Sequence, residues 1–403
     1  MEVSTPLNTP LASSSYTLTA LDHLIFPLYL GGILTFDLKG KDRKAILERL
    51  KIATDRLCAH LPVLPGCVVP APDTEGRTNA FEVRSDIKDT NPFLQVKEQL
   101  PFNPLLIDGC LNPEFLPEPI LFDPSGPCPV MRAKANLQGD FLHLVTGSHH
   151  MVMDGMGSTV VGQALAQLCR DPDTPASALC TTAAAQQGMR EHLTKLGLSS
   201  TPEKLKWDTK PYDFPLLGSE DPKHHTLNLR YPIRKDKLAL LQDACRHILR
   251  DSSVDQGRDT SFSTSLIVGS LVSICVHRAR HAAGLGHLYE STLGFACNLR
   301  EKLGLPSSYM GNAVVAVDAR LDRETVSPLT STHDTSLLSG MSSIDLYQLT
   351  NVALSVSEAL DEYTPSHVAG MLSTLGALGD HSSVRGSFRG LAFSDLHKMN
   401  FYT

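Results

Sequence analysis

The sequence predicts an α/β protein made of two mixed layers joined by a crossover, and three observations carry that prediction. A chain of 403 residues is long enough for two domains of ordinary size, each with its own core. Strand-like runs alternate with amphipathic helical runs in both halves. Between the halves, residues 171–225 are rich in Pro, Ser and Thr, with Asp171-Pro, Thr174-Pro, Thr201-Pro, Lys210-Pro and Phe214-Pro dipeptides that interrupt regular structure. The boundaries that follow are a leader over 1–17, a first domain over 18–170, a crossover linker over 171–225 and a second domain over 226–403.

Taken in order, residues 1–15 are polar and Pro-containing and read as unstructured. Leu18-Thr-Ala-Leu-Asp22 reads as strand, and a second strand spans Leu28 to Leu38. Asp42 is placed as an N-cap, followed by Ile46, Leu50, Ala53 and Leu57 at helical spacing, which predicts a helix from Asp42 to Ala59. Leu61-Pro-Val-Leu-Pro-Gly66 stops it, because neither proline can continue a helix. Phe141-Leu-His-Leu-Val-Thr146 reads as a buried strand, then a Gly-Ser-His-His turn, then a helix with Val160, Val161, Ala164, Leu165 and Leu168 on one face. Some local helix is expected near Ala183 to Leu196. The second half reads as a strand over Thr226–Tyr231, helices around Leu238–Ile248, Leu266–Cys275 and Ile344–Leu360, and strands over Ser291–Asn298 and Ala313–Asp318.

Composition narrows the function classes. A net charge of −7 without long Lys/Arg runs argues against a nucleic-acid groove or a polybasic membrane face. Nine cysteines, an odd number with no C-x-x-C pair, read as reduced thiols. Neither a secretory signal nor a span-length apolar run is visible, so a cytoplasmic location is expected. His224, His225, His277 and His281 have no carboxylate at ligand spacing, and no metal site is expected.

The chemistry is concentrated in His149-His150-Met-Val-Met-Asp154-Gly155-Met-Gly157. A histidine at the end of a strand presents its ring beyond the strand, an Asp four residues on enters a helix, and Gly155 allows a tight passage. Neutral imidazole titrates near working pH and suits proton removal from an attacking alcohol or amine. By itself H-x-x-x-D-G equally describes a core histidine followed by a capping aspartate. More of the chain supports the first reading. The motif, Leu18-Thr-Ala-Leu-Asp22, Leu61-Pro-Val-Leu-Pro-Gly66, Asn298-Leu-Arg300 and Tyr309-Met-Gly311-Asn312 occur in the order in which the BAHD acyltransferases carry similar pieces. The chain resembles that family, particularly its fungal branch that includes trichothecene 3-O-acetyltransferases.

The resemblance implies two chloramphenicol-acetyltransferase-like domains, each a mixed β-sheet flanked by helices, with a channel between them. It implies direct acyl transfer from acyl-CoA, a cosubstrate and not a resident cofactor, with His150 as general base. The acceptor is then a small-molecule alcohol or amine, and acetyl-CoA the expected donor. Asp154 would face away from substrate and pair with Arg300, fixing the loop that holds His150, while His149 would pack. Gly311 and Asn312 could line the channel, although a turn at a strand start explains them as well. Ser261, Ser263 and Thr264 lie where the family has a polar run beside the pantetheine arm, although N-capping is the simpler account of at least one. No nucleic-acid or membrane partner is implied, and a monomer is expected.

The sequence departs from the family at its end. Ser387-Phe-Arg-Gly-Leu-Ala-Phe393 resembles the lead-in to a D-F-G-W-G motif, Met399-Asn-Phe401 is where that motif would begin, and Tyr402-Thr403 closes the chain. The second domain is therefore expected to be short there, at more cost to stability and CoA binding than to His150. The competing readings are a condensation-domain-like enzyme, whose pattern usually has Ser where this chain has Gly157, a hydrolase or cyclase using the same histidine, and a non-catalytic relative.

Overall fold

In the computed structural model the described residues are 15–74, 76–87, 92–98, 103–105, 111–118, 126–206, 231–251, 262–285, 292–321, 341–383 and 391–395. The first half holds two sheets. One, in the order β1-β4-β3-β6, joins β1 (Ser15–Thr17), β4 (Phe81–Arg84), β3 (Cys67–Pro70) and β6 (Cys128–Pro129). The other, β2-β8-β7-β5, joins β2 (Tyr29–Asp37), β8 (Phe141–His149), β7 (Met131–Gln138) and β5 (Leu94–Lys97). Pairing is antiparallel except between β5 and β7.

One face of β7 and β8, carrying Ala133, Ala135, Leu142 and Leu144, shares a core with α2 (Arg43–His60) and α3 (Gly155–Arg170). Helix α2 starts where its cap was expected, Asp42 accepting from the Ala45 amide at 3.1 Å, and it ends before Leu61-Pro. From α3, Val160, Val161, Ala164, Leu165 and Leu168 are buried in the same core, the stripe read from the spacing. Each of the buried Val and Leu side chains contributes about 1.5–3 kcal/mol by leaving water.

Residues 18–22 are not a strand. They enter α1 (Ala20–Leu24), because Thr19 and Asp22 close a capping box that satisfies the first free amides, and this local bonding outweighs the apolar alternation. The strand lies earlier, at β1, inside the stretch expected to be a leader, where it pairs with β4.

The crossover also carries more structure than its prolines suggest. Helix α4 (Ala183–Ser199), capped by Thr182, sends Leu193 into a core with Leu21, Leu24, Leu299, Tyr309, Val315 and Leu372. The second half places α5 (Lys235–Asp251), α6 (Thr264–Ala282) and α7 (Ser343–Asp361) around a sheet ordered β10-β9-β11. There β9 is Thr292–Asn298, β10 Val314–Arg320 and β11 Leu391–Phe393, the last parallel to β9. Helix α8 (Pro365–Ala377) packs beside α4. The strand expected over Thr226–Tyr231 lies outside the described residues up to 230, and Tyr231 is exposed coil. Ser261, His224, His225 and the Met399–Phe401 stretch also lie outside them. Among the described residues no helix is long and apolar enough to cross a membrane.

Candidate active site

Strand β8 ends at His149, and the turn after it is fastened on several sides. The His149 amide donates to Val130 O at 2.8 Å and the His150 amide to Leu28 O at 2.7 Å. Met151, Val152 and Met153 are sealed in the first core, so the turn cannot drift without uncovering apolar surface. Asp154 then caps α3, accepting from the Gly157 amide at 2.8 Å.

The two histidines have different environments. His149 is fully buried, meets Tyr29 edge-on at 5.2 Å between ring centroids, and takes the Met151 amide on Nδ1. Burial, and then the neighbouring His150, push its pKa down to about 3, so it stays neutral at working pH. His150 is half-buried rather than free beyond the strand, and its Nδ1 is sealed without a well-formed hydrogen bond. Burial lowers its pKa; the nearby carbonyls of His150 and Met153, the Asp154 charge and the Asn312 side chain pull weakly the other way.

Asp154 and Arg300 meet in a buried two-pronged ion pair. Arg300 Nη2 lies 2.8 Å from Asp154 Oδ1 and Nη1 lies 2.9 Å from Oδ2, with each side chain about 5% exposed. The carboxylate also accepts from the Ala313 amide at 3.1 Å. Its described bonds therefore go to Arg300, Gly157 and Ala313, and none goes to the His150 ring. Arg300 donates further to Tyr309 O at 2.9 Å and Gly311 O at 3.0 Å, while Asn298 Oδ1 accepts the Arg300 amide at 3.0 Å. The Asn298-Leu-Arg300 and Tyr309–Asn312 segments are thus one assembly around Asp154.

Two glycines make the approach possible. A Cβ on Gly157 would stand 1.8 Å from Met310 O, and one on Gly311 would stand 2.3 Å from the Tyr309 hydroxyl. Gly155 opens α3 and is not among the left-handed glycines, so its freedom of φ is not what the turn uses. We expect Gly157→Ser to lower stability by about 1–3 kcal/mol or more, because the obstacle is backbone and cannot swing aside. Urea unfolding of the two proteins measures it, and an unchanged midpoint would show that the helix start yields freely.

Asn312, Gly311 and Ser263 each have a structural task. Asn312 is fully buried; its Nδ2 donates to Asp22 Oδ1 at 2.9 Å and to His150 O at 2.8 Å, so it ties the Asp22 carboxylate to the His150 peptide. Gly311 serves close packing. Ser263 accepts the Leu266 amide at 3.2 Å as the cap of α6, the simpler of its two readings. Sequence reasoning missed Asp22, Arg190 and Gln186. Gln186 accepts the Met310 amide at 2.8 Å and donates to Ser308 O at 2.7 Å. Asp22 had the Thr19-x-x-Asp22 capping pattern and its place in the family-like Leu18–Asp22 piece as signals, whereas nothing in spacing marks Arg190 or Gln186 on α4. Among the described residues no group of three metal-ligating side chains gathers.

No protein-family model matches the chain. It is similar to fumigaclavine B O-acetyltransferase of Aspergillus fumigatus, 28% identical over an alignment covering 94% of this chain and 81% of the relative. It is also 28% identical to a communesin acyltransferase of Penicillium expansum, over 97% of this chain and 84% of that one. Among solved structures, TRI101 of F. sporotrichioides complexed with coenzyme A and T-2 superposes with a TM-score of 0.61 at 18% identity, over 95% of this chain and 82% of that one. Vinorine synthase superposes at 0.56 with 15% identity, over 98% and 81%. These likenesses give the fold as the two-domain chloramphenicol-acetyltransferase-like arrangement.

Proposed function

We propose that this BAHD-type acyltransferase of the fungal branch moves an acetyl group from acetyl-CoA to a hydroxyl of a small secondary metabolite, with His150 as general base. The observation that carries the proposal is His150 itself: a neutral, half-buried imidazole at a strand end, its peptide held by Leu28 and its turn braced by the Asp154–Arg300 pair. Both relatives and the coenzyme A complex support the donor and the general reaction.

In this reading the acceptor hydroxyl gives its proton to the imidazole as its oxygen attacks the thioester carbonyl. The tetrahedral intermediate collapses, the C–S bond breaks, and the imidazolium returns the proton to the departing thiolate. Alcohol and acetyl-CoA become ester and free CoA. Burial keeps the imidazole unprotonated at neutral pH, so it is ready to accept. Asp154 is a positioning residue here, because its carboxylate is committed to Arg300 and the two amides.

The test is binding first and turnover second. Free CoA at about 100 times its dissociation constant should stabilise the protein by roughly 2.7 kcal/mol, read as an upward melting shift. Incubation with acetyl-CoA and fumigaclavine B as the probe acceptor should yield a product heavier by one acetyl group, read by mass spectrometry. A cooperatively melting protein with no shift at millimolar CoA would overturn the donor assignment.

A further inference from the structure

We infer that Asp22 and Arg190 form a second positioning clamp on His150, acting through Asn312 and distinct from the Asp154–Arg300 pair. The inference rests on the reading of His150 as base.

The two side chains come from α1 and α4, far from the motif in sequence, and both are buried. Arg190 Nη1 lies 2.7 Å from Asp22 Oδ2, its Nε meets the Tyr16 hydroxyl, and its guanidinium stacks 3.9 Å above the Tyr16 ring. The same carboxylate oxygen takes the Thr19 amide at 2.7 Å and the Thr19 hydroxyl at 2.8 Å. The other oxygen, Oδ1, takes the Asn312 amide at 3.2 Å and Asn312 Nδ2 at 2.9 Å. Five donors leave this carboxylate no freedom to rotate.

Asn312 passes that constraint on. Its Nδ2 reaches His150 O at 2.8 Å while the His150 amide is held by Leu28 O at 2.7 Å, so both peptide groups flanking the imidazole are pinned. The consecutive amides of Asn312 and Ala313 go to different carboxylates, Asp22 and Asp154, each with its own buried arginine. Residues 309–313 are therefore a jaw gripped from two sides, and Gly311 lets Tyr309 and Arg190 close over it. A buried ion pair gives little stability over a well-packed apolar substitute. What it can supply is geometry, and the geometry here ends on the carbonyl of the base.

The experiment uses full-length protein with ¹⁵N-labelled histidine, the His150 ring signals being assigned by their loss in His150→Gln. The variants are Asn312→Ala, which leaves the ion pair intact, and the charge-free double replacement Asp22→Asn with Arg190→Gln. Arg190→Lys is compared with Arg190→Gln as the conservative rescue. We expect the CoA melting shift to persist while the His150 signals broaden and their titration moves. Acetyl-CoA turnover with fumigaclavine B should drop about 10²-fold in kcat, with KM for acetyl-CoA nearly unchanged. Arg190→Lys should recover part of the loss. A folded Asn312→Ala protein with wild-type His150 signals and kcat overturns the clamp. If the double variant fails to fold, Asn312→Ala decides alone. Transfer surviving in His150→Gln would instead overturn the function proposed above, and the ring signals would still report on the clamp without any substrate.

Discussion

Replacing His150 by alanine is expected to lower acetyl transfer by about 10²–10⁴-fold while the melting temperature and the CoA-induced shift stay close to wild type. The side chain is half-buried and its Nδ1 makes no well-formed bond, so its removal costs little native structure. The loss falls on the step that needs a proton acceptor. The pH profile follows from the same environment. In the proposed role the base works unprotonated, and burial holds its pKa below the ordinary value of 6.5, so the acid limb of kcat/KM should have its midpoint below pH 6.5. An acid limb centred above 6.5, or an alanine variant with wild-type turnover, would assign the proton transfer to another group.

The second large effect is expected at the ion pair. Asp154→Asn leaves Arg300 charged in a site about 5% exposed, with its two-pronged partner gone. Breaking one member of such a pair typically costs about 3–5 kcal/mol, a large share of a domain's stability. Replacing both, Asp154→Asn with Arg300→Met, should cost less than either alone predicts, because no charge is stranded. Urea unfolding of the four proteins closes the double-mutant cycle. Strict additivity would mean that the two side chains do not act as a unit. Activity should fall in all three variants, since Gly157, Ala313, Tyr309 and Gly311 lose their common anchor.

Much of this was legible in the sequence, for identifiable reasons. Helices α2, α3 and α7 announced themselves because each buries one stripe at helical spacing and starts at a capping side chain. The motif residues were found because strand end, histidine and capping aspartate are consecutive in the chain. Arg300 was reached only through the likeness of Asn298-Leu-Arg300, not from its spacing to Asp154. Residues 18–22 were misread because a short apolar run fits strand and helix alike, and the Thr19–Asp22 box decides between them. For Asn312 the type was visible in the sequence and the burial was not, so its bonds to Asp22 and the His150 carbonyl could not be read there. Arg190 stayed hidden for a related reason. In a linear reading an arginine on an Ala- and Gln-rich helix is a solvated charge, and only the packing of α4 into the core with Leu21 and Tyr309 buries it against Asp22.

The distance between Asp154 and its arginine has a consequence for how the protein is made. Arg300 emerges from the ribosome 146 residues after the carboxylate it must meet. At roughly 5–20 residues per second, the nascent first half waits about 7–30 s with an acidic group that caps α3 but lacks its arginine. Until then α3 has no Met310 to close against, because that residue has not yet been synthesised. The turn that carries His150 therefore gains its full bracing only once residues 300–313 have been made, and the fold of the first half is completed by the second.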